Sequence, residues 1–146
     1  IERYPVVSIE DPFAETDAAA MRAFTKATPI QVVGDDFFVT REERVRAANA
    51  ACNTVLLKPN QVGTVTETLR CWEAARAAGY RAIVSARPGE TEDVSIVHLA
   101  VGWGVPQLKV GSFSRSERMA KWNEGLRIEE SLGAKALPFP ARKLFK

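Results

Sequence analysis

Thr54-Val55-Leu56-Leu57-Lys58 is the stretch that decides how this chain folds: four residues suited to a pleated strand, closed by a charge. A short, continuous, β-branched and apolar run fits a strand buried on both faces, as in a parallel sheet. After it the chain turns helical over residues 64–78 and stops at Gly79, a residue suited to a left-handed helix end. Working outward, the same unit recurs on both sides. Strands are expected at 6–9, 30–33, 81–85 and 107–110, and helices at 18–27, 41–51, 91–101 and 114–132. Thr40 ahead of Arg41-Glu42-Glu43 reads as a helix cap. Thr91-Glu92-Asp93 puts acids where a first turn favours them, and Gly133 closes the last helix.

Alternation of β and α means a parallel sheet, either doubly wound or closed as a barrel. What ends each strand separates the two. Glu10-Asp11, Asp35-Asp36, Lys58, Arg87 and Lys109 mark the five ends, and Glu10, Asp35, Lys58, Arg87 and Lys109 follow one another at steps of 25, 23, 29 and 22 residues. In a βα barrel every such end points to one rim, where active sites are assembled. A doubly wound sheet gathers its ligand at one switch point, and no Gly-rich phosphate loop follows the first strand. The expectation is therefore an α/β chain forming about five βα units of a TIM-like barrel, across residues 1–146 as one segment. A closed barrel of this kind has eight strands, so five leave two open edges.

Composition narrows the function by exclusion. A net charge of +2 over 146 residues, with basic residues interleaved with Glu along helices, fits solvated helix faces and predicts neither a nucleic-acid nor a membrane partner. No apolar run approaches the roughly 18 residues of a membrane span. Cys52 and Cys71 lack metal-like spacing and read as reduced core thiols in helical segments of a cytoplasmic protein. His98, inside a helical apolar pattern, reads as a packed side chain, and Trp72, Trp103 and Trp122 read as packing residues. The chain opens without Met and runs straight into a strand, so it is expected to be one piece of a longer polypeptide.

Five strings occur in order: Ser8-Ile9-Glu10-Asp11-Pro12, Val33-Gly34-Asp35-Asp36, Leu56-Leu57-Lys58-Pro59-Asn60-Gln61-Val62-Gly63-Thr64, Gly89-Glu90-Thr91-Glu92-Asp93 and Arg115-Ser116-Glu117-Arg118, with Leu126-Arg127-Ile128-Glu129-Glu130 following. The ordered set resembles the carboxy-terminal barrel of the enolase family, the glycolytic dehydratases that interconvert 2-phosphoglycerate and phosphoenolpyruvate, and the likeness covers nearly the whole chain. It implies roles. Glu10 and Asp35 match two of three carboxylate ligands for a Mg²⁺ ion. Lys58 matches the general base that removes the C2 proton, Lys109 the lysine on the substrate carboxylate, and Arg87 the arginine on the phosphate. The third ligand, the acid that helps hydroxide leave and the lid loops lie upstream in the family. A homo-oligomer, a dimer by analogy, is implied as well.

The chemistry accounts for those residue types. A proton beside an ionised carboxylate is very weakly acidic, because its removal makes an enediolate-like dianion. Hard Mg²⁺ ions held by oxygen ligands stabilise that charge. A lysine base must be neutral to act, and pairing such a base with Mg²⁺ is an established pattern for this superfamily. Taken singly, each residue has a plainer reading. Acids after strands also cap helices or sit in loops, one of which is expected of Asp36, and a lysine ending an apolar strand also snorkels.

Two stretches depart from the family. Ser85-Ala86-Arg87-Pro88 stands where the family has Ser-His-Arg-Ser, and Gly111-Ser112-Phe113 where it has Gly-Ala-Pro. Proline at 88 removes a hydroxyl and an N–H from the phosphate side. The changes leave two further readings open. One is a divergent paralogue that makes another enolpyruvate product from a phosphorylated or phosphonylated carboxylate. The other is a non-catalytic scaffold.

Overall fold

The computed structural model describes residue 1 and residues 3–136; residue 2 and residues 137–146, the end of the expected segment, lie outside it. Five strands alternate with helices: β1 (Ser8–Glu10), α1 (Ala18–Ala27), β2 (Gln31–Gly34), α2 (Glu42–Ala47), β3 (Thr54–Leu57), α3 (Pro59–Val62), α4 (Val65–Ala77), β4 (Arg81–Ser85), α5 (Ser95–Gly102), β5 (Leu108–Lys109) and α6 (Ser116–Leu132). All pairings are parallel and the sheet order is β1-β2-β3-β4-β5. A doubly wound sheet reverses its strand order at a switch point. This one never does, which is the topology of a barrel arc.

The arc is curled. Four strand spacings of about 4.8 Å would separate β1 from β5 by about 19 Å in a flat sheet. Instead Lys109 Nζ donates to Glu10 Oε1 and Oε2 at 2.6 and 2.7 Å. One layer lower, Gln31 Nε2 donates to Gln107 Oε1 at 2.6 Å while Ser8 Oγ donates to Gln31 Oε1 at 2.8 Å. Such contacts require side chains to meet across a concave interior.

Alternation along each strand sorts residues to two sides. Val32, Val55, Leu57, Ala82 and Val84 join Met21, Phe38, Val45, Cys71, Ala75 and Ile96 in one apolar layer between sheet and helices. Val33 and Leu56 are equally buried but stand outside that layer, on the concave side with the polar Gln31 and Thr54. Lys58, two residues beyond Leu56, inherits that direction. Asp35 stands in the same relation to Val33.

Elsewhere the boundaries move for local reasons. Helix α2 is shorter than residues 41–51, because Asn49 and Ala50 turn left-handed at φ 47° and 59°. Thr40 does not cap it: Arg41 occupies that place with no side-chain cap bond. Helix α5 starts at Ser95 with no acid in its first turn, and Asp93 instead accepts from the Ser95 backbone N–H at 2.9 Å and from its hydroxyl. Those bonds, the hydroxyl's first, hold the Asp93 carboxyl below its usual range. The extra turn α3 opens on Pro59 and closes at Gly63, whose φ of 117° suits glycine. Gly79 and Gly133 close α4 and α6 with positive φ, as expected.

Cys71 lies in α4, whereas Cys52 lies in the connection ahead of β3 rather than in a helix; both are free and buried. Burial pushes each thiol up to about 12, with the charge of Asp11 adding for Cys52 and those of Glu42 and Glu43 for Cys71. Both therefore stay protonated and serve as small packing groups. His98 is exposed, not packed, and its Nε2 sits 3.0 Å from Glu124 Oε1, tying α5 to α6.

Candidate active site

Two acid–lysine pairs stand at the strand ends. Lys58 Nζ lies 2.5 Å from Asp35 Oδ2, and the two residues are only 7% and 8% exposed. A charge taken that far from water needs a partner, and each supplies the other's. The second pair, Lys109 and Glu10, is more open. Asp35 Oδ1 is buried with no hydrogen-bond partner among the described residues. The unused lone pairs of this oxygen are of the kind a hard divalent cation takes, whereas both oxygens of Glu10 accept from Lys109 and would have to be released before they could serve as ligands. No cluster of three His, Cys, Asp or Glu able to hold a metal occurs among the described residues.

Several backbone clamps that the sequence reading missed hold these groups. Asp11, at φ 40°, accepts from the backbone N–H groups of Asp35 and Asp36 at 3.0 and 2.7 Å, one on each carboxylate oxygen. It thereby fixes the end of β2 to the end of β1, while Asp36 takes the loop place, one of the two expected for it. Its position beside Glu10 was the available signal. Asn60 donates to Glu90 Oε1 at 2.7 Å and accepts from the Arg87 N–H at 2.9 Å, joining the β3 and β4 exits. Lys121, expected on a solvated face, is 2% exposed; its Nζ donates to the carbonyls of Thr91 and Glu117 at 2.7 and 2.9 Å.

A cavity of about 720 Å³ opens at this rim, lined by Asp35, Lys58, Ala86, Arg87, Pro88 and Lys109 among others. Four of the five strand-end residues thus face one space, and Glu10 joins them through Lys109. The Arg87 guanidinium makes no hydrogen bond or ion pair among the described residues. Gly111, at φ 107°, leaves room for Arg118, whose Nε would lie 2.9 Å from an added Cβ. The exposed Phe113 stacks on Trp122 at 5.2 Å between ring centroids.

The family model described as "Enolase, C-terminal TIM barrel domain" matches residues 1–145. The chain is 52% identical over 141 residues to a protein named Enolase from Anaplasma marginale (strain St. Maries), covering 94% of this chain and 33% of that relative. It is 48% identical over 149 residues to Enolase 1 of Desulfitobacterium hafniense (strain Y51), covering 99% of this chain and 34% of that relative. The chain spans about a third of the length of these curated relatives.

Proposed function

Because the chain belongs to the enolase family, a family of hydro-lyases, we propose that it carries the base-bearing part of a Mg²⁺-dependent site that interconverts 2-phosphoglycerate and phosphoenolpyruvate. The observation behind this reading is the convergence of two acid–lysine pairs, Asp35–Lys58 and Glu10–Lys109, on one rim. Glu10 and Asp35 are the residues that would hold Mg²⁺, which supplies stabilisation of negative charge on the substrate carboxylate. Lys58 takes the C2 proton. To do so its Nζ must first lose a proton to solvent and turn from the Asp35 carboxylate toward the substrate, since an ammonium has no lone pair to offer. Lys109 binds the substrate carboxylate and Arg87 the phosphate. The third carboxylate and the acid that assists hydroxide departure come from outside residues 1–146, as do the remaining strands, and the whole works as a cytoplasmic homo-oligomer.

Ala86 and Pro88 favour a second reading, in which the far end of the substrate differs. Both line the cavity beside Arg87, and neither offers a side-chain donor to a phosphate oxygen. A charge-assisted hydrogen bond contributes about 1.5–3 kcal/mol, so losing one costs about ten- to hundredfold in rate. One assay tests both readings: kcat/KM for 2-phosphoglycerate in the full-length parent and in its Ala86→His/Pro88→Ser variant. Turnover that is present and rises about ten- to hundredfold on restoration supports an enolase shifted at this loop. High turnover without any rise makes the departures neutral. No turnover in either protein contradicts the proposed reaction.

A further inference from the structure

Val39 and Thr40 both hold left-handed backbone, at φ 46° and 56°. β-Branched residues rarely adopt it, so the surrounding contacts must hold them there. Thr40 has a definite occupation in that place. It is fully buried, behind a cavity wall to which its neighbours Val39 and Arg41 contribute. The backbone N–H of Lys58 donates to Thr40 Oγ1 at 3.0 Å. The hydroxyl's own proton goes to Gln61 Oε1 at 2.8 Å, with the Leu56 carbonyl further off at 3.3 Å. A hydroxyl has one proton to give and two lone pairs to offer. Here it spends them on residues that flank Lys58 on both sides, and on Lys58 itself.

Lys58 needs such a partner. The pairing of β3 with β4 ends at Leu57, and Lys58 opens the next turn with Pro59, which has no N–H, behind it. The bond to Thr40 satisfies the buried N–H and fixes the Cα from which the side chain reaches Asp35. We propose that Thr40 is a positioning residue for Lys58, setting the place of the amine through the backbone without touching the substrate. This rests on the reading of Lys58 as the base. Thr40 looks like a helix cap in the sequence; its strained backbone is what turns the hydroxyl away from α2 and toward β3.

The test follows exchange of the C2 proton of 2-phosphoglycerate with solvent deuterium by NMR. It uses the full-length parent and its Thr40→Ser, Thr40→Ala, Thr40→Val and Lys58→Ala variants. A misplaced base slows the bound complex rather than weakening binding. Thr40→Ala and Thr40→Val are expected to lose about ten- to hundredfold in the maximal exchange rate with KM within about twofold, and Thr40→Ser to stay within about threefold of the parent. Should Thr40→Val fail to fold, the Ser and Ala variants carry the comparison, since both drop the branch at Cβ and differ only by the hydroxyl. Equal rates in those two, or a loss confined to KM, with Lys58→Ala inactive, would overturn the positioning role and leave the base standing. Exchange near the parent's rate in Lys58→Ala would overturn the base and this inference together.

Discussion

At Asp35 one carboxylate oxygen holds the Lys58 ammonium and the other is buried with no partner among the described residues. Glu10, by contrast, gives both oxygens to Lys109, a side chain 45% exposed. The two acids should therefore respond differently to loss of charge. Asp35→Asn strands a buried ammonium, and breaking one side of a buried pair costs about 3–5 kcal/mol of stability. Glu10→Gln releases only a solvent-screened partner. In isothermal titrations of the full-length parent with Mg²⁺, both variants are expected to bind at least about tenfold more weakly, the low end of what loss of even an outer-shell partner costs. Unchanged affinity in both would remove them from the ligand set. The strand-end positions of these acids were legible in the sequence because a charge closing an apolar run is conspicuous. Their ammonium partners were not, since no local pattern tells that Lys109 will reach back across 99 residues to Glu10.

Strands β3 and β4 lie where the residue pattern predicts, at Thr54–Leu57 and Arg81–Ser85, because their β-branched and apolar runs admit no competing reading. The connections were harder to read. The turn α3, which opens on Pro59, was not expected, and Thr40 looks like a cap and instead bonds to Lys58. One element junction is exacting. Gly34 ends β2 directly before Asp35, and a Cβ there would overlap Phe38 Cδ2, lie 2.6 Å from Phe38 Cε2 and 3.1 Å from Cys52 Sγ. These are ring and core atoms without room to retreat. Gly34→Ala is expected to destabilise the full-length protein by about 1–3 kcal/mol, the usual cost of overpacking, seen as a lower urea midpoint with unchanged slope. A midpoint equal to the parent's would mean that the β2–α2 junction is looser than its packing implies.

The whole sheet is an arc of five parallel strands in sequential order, with β1 and β5 at its two margins. Barrel rather than doubly wound topology was legible from the recurring strand-end charges; the depth of the curl was not, because the Gln31–Gln107 bond that expresses it spans 76 residues. Residues 1–146 expressed by themselves should self-associate, since unpaired strand edges recruit other chains. A monomeric sedimentation profile with a sharp cooperative melt would contradict that. At the same scale stands the claim that these strand ends form the base-bearing part of an enolase site. Its most direct test is deuterium exchange at C2 of 2-phosphoglycerate by the full-length parent and by Lys58→Ala, with Mg²⁺ affinity measured alongside. The account predicts exchange in the parent, its loss in the variant and Mg²⁺ binding largely kept; exchange in Lys58→Ala near the parent's rate would contradict it.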